Sequence, residues 1–226
     1  ANYGQVFSGV SGQRTFIAEK VNLKFIPDRV VADQYLTVLL KSPDYLLKFW
    51  NSVILVAPIV IFQVIVALGA SYCFARFQTK FRSIVFFTYI ILMLMPFQVL
   101  MFPQYLVLND LGMLDTLGAV ILPAVFSTFP VFILHRFFKA IPQEILEAAR
   151  LDGASEFRIF GQIGIPMGAP GILSVCILTF LDSWNMIEQP MTYLKTRALW
   201  PLSLFLPEIG MGDMGVGFAA AFMMLV

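Results

Sequence analysis

The sequence predicts an all-α chain, a polytopic transmembrane helical bundle, and three observations carry that prediction. The 226 residues are 59% hydrophobic and only 13% charged, against roughly 25% charge in a soluble domain. Apolar runs long enough to cross a hydrocarbon core of about 30 Å recur along the chain. Lys and Arg gather in two short connections, Arg76, Lys80 and Arg82 in one and Arg136, Lys139, Arg150 and Arg158 in the other, which marks both as cytoplasmic. A formal net charge of +1 offers nothing to steer nucleic acid.

Taken in order, residues 1–48 are mixed in polarity and read as an extracytoplasmic segment. One or two short helices are expected over 33–48, with a break at Ser42-Pro43-Asp44. The transmembrane domain is expected over 49–226. Its first span covers about 49–75 and runs inward to the Arg76–Arg82 connection. The second, about 83–107, runs outward and carries Pro96 and Pro103 with Gln98 and Gln104 beside them. Amides at membrane depth are tolerated where a kinked helix lines a cavity or packs on protein, so Gln98 is a candidate for a solute path. The next connection holds Asn109, Asp110 and Asp115 and no Lys or Arg, as an outer loop should. The third span, about 118–138, returns inward and ends at His135, Arg136 and Lys139.

Residues 139–166 then form the most polar connection in the second half of the chain. Pro142 suits a first helical position, Glu144 and Glu147 suit the early turns, and Arg150 lies within reach of Glu147. Gly153 fits a left-handed helix end, Ser155 caps a second short helix, and Pro166 ends it. Helix, glycine turn and helix make a compact knob outside the bilayer. Ala148 and Ala149 leave one side of it small enough for a partner to approach closely. The fourth span, about 167–187, runs outward. Asp182 and Asn185 sit one turn apart near its outer end, beside Trp184, where they serve either as interfacial anchors or as contacts for a polar solute. Residues 189–214 form an outer loop. A final run at 215–226 is half a span and the chain opens on Ala1 rather than Met, so a fragment is expected, with the end of the last span missing.

Glu147-Ala148-Ala149, three residues, Gly153, nine residues, then Ile163-x-Ile165-Pro166 resembles the EAA loop of bacterial ABC-importer permeases. The family pattern has leucine where Ile165 stands. The segments around Met95-Pro96-Phe97-Gln98 and Ser183-Trp184-Asn185 are similar to the carbohydrate-uptake branch. The resemblance implies an inner-membrane permease subunit that translocates a sugar or sugar-like solute by alternating access, and, against the six spans of the family, a fragment lacking the first spanning helix and the end of the last. Its implied partners are cytoplasmic ATP-binding subunits, as a homodimer or heterodimer, a second permease subunit, an extracytoplasmic solute-binding protein and membrane lipid. Glu147, Ala148, Ala149, Gly153, Ile163 and Pro166 would form the ATPase-coupling loop, and Gln98, Asp182 and Asn185 a solute path.

Other chemistries lack their residues. No G-x4-G-K-[ST] phosphate cradle, G-x-S-x-G elbow or H-E-x-x-H helix occurs. One His and two unpaired-spacing Cys, Cys73 and Cys176, build no ordinary metal site. Neither enzyme activity nor a cofactor or metal is expected. Two alternatives stay open: the same architecture for a peptide, polyamine or phosphate ester, and a carrier or channel that works without an ATPase.

Overall fold

The computed structural model describes residues 43–76 and 79–210, and side chains within 45–207. The expected short helices before 43 and the half-span at 215–226 lie outside the described residues. Among the described residues every regular element is helical.

Helix α1, Pro43–Arg76, is the hub, and the helices Leu117–Val125, Thr128–Ala140, Ile165–Trp184 and Leu202–Gly210 all pack on it. It starts earlier than the expected boundary at 48/49. Pro43 lies in the first turn of this helix, a position where proline is at home. Residues 45–48 therefore belong to the long helix, and Lys48 is buried in it. Pro58 lies inside α1 without breaking it.

Helices α2, Lys80–Leu94, and α3, Phe97–Asp110, replace the single kinked span expected over 83–107. They turn through 106° at Met95-Pro96. Met95 is extended, at φ −73° and ψ 132°, as the residue before a proline prefers. Pro103 sits inside α3 without ending it.

Helices α4, Leu117–Val125, and α5, Thr128–Ala140, together make one run of spanning length, Leu117–Ala140. Next comes α6, Gln143–Leu151, and then α7, Glu156–Ile159. Pro166 does not end that second helix. A widened turn at Phe160–Gly164 leads directly into α8, Ile165–Trp184, so 29 residues from Glu156 to Trp184 run without interruption. The Ile165 N–H bonds back five residues to the Phe160 carbonyl. A loosened turn of this kind lets the helix pass a proline, which has no N–H to give the preceding turn. The buried residues of the run are Ile159, Gly164, Gly168, Gly171, Val175, Thr179 and Ser183. The segment that follows, expected as an outer loop and called the outer segment below, carries α9, Glu188–Tyr193, a single turn at Arg197–Leu199, and α10, Leu202–Gly210.

Two apolar clusters sit at opposite ends of α1. The inner one gathers Val64, Ala67 and Tyr72 with Val131, Leu134, Phe138, Leu146, Ile159 and Val175. The outer one gathers Leu55, Val56 and Ile59 with Leu108, Ala119, Val120, Tyr193 and Leu194.

Candidate functional site

The knob is built as its caps dictate. Pro142 is the residue before α6, one place ahead of its expected position. Gly153 closes α6 at φ +80°, a left-handed backbone that a side chain rarely adopts. The Asp152, Gly153 and Ala154 N–H groups bond the Ala148, Arg150 and Ala149 carbonyls, satisfying the open end of the helix. The Ser155 hydroxyl accepts from the Arg158 N–H at 3.4 Å. Arg150 pairs with Glu156 at 2.7 Å rather than with Glu147. The glycine turn folds α7 back beneath it, while Glu147 accepts from Gln143 at 2.9 Å.

The predicted coupling residues divide between two sides. Glu147, Ala148 and Gly153 are exposed. Ala149 and Ile163 instead pack on the inner cluster, so the small side expected from both alanines is presented by Ala148 alone. Pro166 lies exposed in the first turn of α8. Leu146 and Ile159 are the anchors, at 1% exposure each. Leu151 and Phe157, which sequence reasoning did not include in the coupling set, stand out of the knob at 89% exposure each. Leu151 lies four residues beyond Glu147, the same-face spacing that would have marked it.

Beneath the knob, Tyr72, Phe138 and Phe160 meet ring to ring, with centroids 4.8–6.3 Å apart. Arg76 donates to the Phe138 carbonyl and, at 3.1 Å, to the Ile141 carbonyl, capping the end of α5. Helix α8 presses on α5 through glycines. A Cβ at Gly171 would stand 2.5 Å from the Phe137 ring, and one at Gly168 would stand 2.8 Å from Phe138.

At the other end of α8 an open cavity of about 850 Å³ is walled by Gln63, Phe97, Ser127, Phe129, Thr179, Asp182, Asn185, Glu188 and Gln189, with apolar residues between them. Asp182 and Asn185 both line it. Gln98 does not, but its amide donates to both carboxylate oxygens of Glu188 at 3.0 and 3.2 Å, holding that lining residue at the start of α9. The Asn185 amide donates to the Leu181 carbonyl at 2.8 Å. Lys, Arg and His are absent from the described lining.

Above the outer cluster, polar groups hold the outer segment. Asp115, at φ +60°, accepts from the Lys195 and Thr196 N–H groups at 2.8 and 2.7 Å and from the Thr196 hydroxyl at 2.6 Å. The Thr196 hydroxyl above all, and then its N–H, hold the Asp115 carboxyl below the usual carboxylate range. Lys48 donates to the Arg197 carbonyl, Asn51 to the Ala198 and Trp200 carbonyls, and Ser52 accepts from Leu202 N–H at 2.8 Å.

Residues 63–226 match the family model described as "Binding-protein-dependent transport system inner membrane component". The arabinooligosaccharides transport system permease protein of Halalkalibacterium halodurans is 30% identical over 189 residues, which cover 84% of this chain and 68% of that protein. Its counterpart in Bacillus subtilis is 29% identical, covering 84% and 67%. The sn-glycerol-3-phosphate transport system permease protein of Salmonella typhimurium is 29% identical over 176 residues, 78% of this chain and 58% of that protein. Among solved structures, a bacterial ABC transporter involved in the import of the acidic polysaccharide alginate superposes with a TM-score of 0.72. It is 20% identical and covers 85% of this chain and 73% of that one, a likeness of fold.

Proposed function

The chain belongs to the family of inner membrane components of binding-protein-dependent transport systems, and from that premise we propose that it is a permease subunit importing a neutral, hydroxyl-rich solute of the sugar class. ATP hydrolysis on separate subunits drives it, and the chain itself is not an enzyme. The observation that carries this reading is the Glu156–Trp184 run, which starts in the knob and ends in the cavity wall. At 1.5 Å per residue it reaches about 43 Å. A partner that tilts the knob tilts Thr179 and Asp182 with it, a rigid-body motion between two states.

The knob, 139–166, lies in the cytoplasm and offers Glu147, Ala148, Leu151 and Phe157 to the ATP-binding subunits. A second permease subunit completes the path, and an external binding protein delivers the solute to the outer loops. The cavity supports the solute class. Its carboxylates and amides bond hydroxyls, and Phe97 and Phe129 offer flat apolar faces to the C–H side of a sugar ring. A phosphate ester would meet Asp182 and Glu188 as like charges. Those same carboxylates favour a polyamine as the second reading.

Gly153→Val is the test. A branched side chain at φ +80° costs about 1–2 kcal/mol and displaces the knob. Uptake and solute-stimulated ATP hydrolysis should both fall about tenfold or more, while membrane insertion stays normal. Unchanged uptake and hydrolysis would sink the coupling role. Calorimetry of the cognate binding protein against neutral sugars, polyamines and phosphate esters ranks the solutes.

A further inference from the structure

We propose that the crevice between the inner ends of α2 and α5 binds the headgroup of an anionic phospholipid from the cytoplasmic leaflet. The inference rests on the orientation proposed above, with the knob inside.

Two adjoining hollows of about 410 Å³ each share Phe86, His135 and Lys139. Arg82 lines one and Arg136 the other, so four basic side chains face the same space. Among the described residues no Asp or Glu lines either hollow. In the knob Arg150 pairs with Glu156, Arg76 is occupied with the carbonyls that end α5, and in the crevice Arg82 donates to the Cys73 carbonyl at 3.4 Å. Two arginines, a lysine and a histidine are therefore gathered in this crevice with no acidic residue in its described lining.

The walls are aromatic. Phe86 lies over His135 with centroids 4.2 Å apart and against Phe74 at 5.4 Å. Phe87 and Ile90 continue the wall up α2. Helix α2 has no buried residue, and Phe81, Ile84 and Phe87 on it are exposed. A ligand reaches the crevice along an apolar helix face, which a soluble anion would avoid and a lipid would follow. The phosphate then sits among Arg82, Arg136 and Lys139, and the acyl chain lies along Phe87 and Ile90. Juxtamembrane cations at this depth are the groups that anionic headgroups recognise.

The full-length protein, reconstituted in nanodiscs of phosphatidylcholine with or without phosphatidylglycerol, tests this by native mass spectrometry of retained lipid. Phosphatidylglycerol should be retained over phosphatidylcholine, and R136Q/K139Q should lower that preference about tenfold or more, given the worth of each juxtamembrane cation. R136K/K139R should keep it, and both variants should melt as wild type does in phosphatidylcholine alone. Equal retention of the two lipids, or undiminished preference in R136Q/K139Q, overturns the site. So does displacement of phosphatidylglycerol by millimolar inorganic phosphate, or loss of the partner permease from R136Q/K139Q, which would make the face a protein interface. Ala148→Cys labelled by an impermeant thiol reagent reports the orientation independently. Labelling from outside would overturn the leaflet assignment and the coupling reading while leaving cation-dependent lipid retention intact.

Discussion

The two ends of α1 are held by opposite chemistries. At the inner end, Tyr72, Phe138 and Phe160 interlock and glycines of α8 close on the Phe137 and Phe138 rings. Tightly packed apolar surfaces do not deform gradually, so the knob and the adjoining end of α8 form one close-packed unit. At the outer end, Asp115, Lys48, Asn51 and Ser52 grip backbone groups of 195–202. Such bonds can be exchanged for bonds to water at little net cost. The difference separates the parts: a close-packed apolar body at the knob end, and a polar latch at the other end.

The largest expected effect breaks the apolar body. Gly171→Leu places atoms where the Phe137 ring already lies within 2.5 Å of a Cβ. It should cost about 1–3 kcal/mol or more, read as a lower melting temperature in detergent. Gly161→Ala, where a Cβ meets nothing within 4 Å, is the control and should melt as wild type.

The next effect concerns the latch. Asp115→Asn removes the charge from three short hydrogen bonds, and amide hydrogen exchange at Lys195 and Thr196 should quicken. The pH dependence has a definite sign. The folded carboxyl sits below the usual range, so protection is complete above the ordinary carboxylate pKa and is lost as pH falls through the depressed one. The Asn variant should show no such loss. Equal exchange in both proteins across that acid range would remove the latch from the comparison.

The smallest effect sharpens the boundary between the two chemistries. Arg150 and Glu156 pair on the knob surface with side chains 39% and 41% exposed. Arg150→Ala should cost about 0.2–1 kcal/mol at low salt and almost nothing at high salt, measured by the same melting assay.

Much of this was legible from local signals. The knob followed from a proline before a helix, a glycine after it and a serine ahead of the next. Spanning segments followed from apolar length. What escaped was set by distant partners or by direction. A proline announces an extended residue before it but not a turn of 106°. Asp115 looked like ordinary outer-loop charge, because its partners lie some 80 positions away. Arg150 chose Glu156 over Glu147 because the glycine turn brings α7 within reach. Ala149 turned inward because Leu146, three residues before it, is the anchor of α6. Pro166 read as a stop because a normal α-turn was assumed ahead of it.

That widened turn has a consequence for the length of the motif. Along α8 the inward residues recur at steps of three or four, but from Ile159 to Gly164 the step is five. One residue corresponds to about 100° of azimuth around a helix. The surplus residue therefore brings the knob and the span into phase, so that Ile159 and Val175 share one inward stripe. The number of residues between Gly153 and Pro166 is then an angular setting. Point changes within that interval leave the setting alone, whereas removing one residue would rotate the knob by about a quarter turn relative to the cavity wall at the far end of α8.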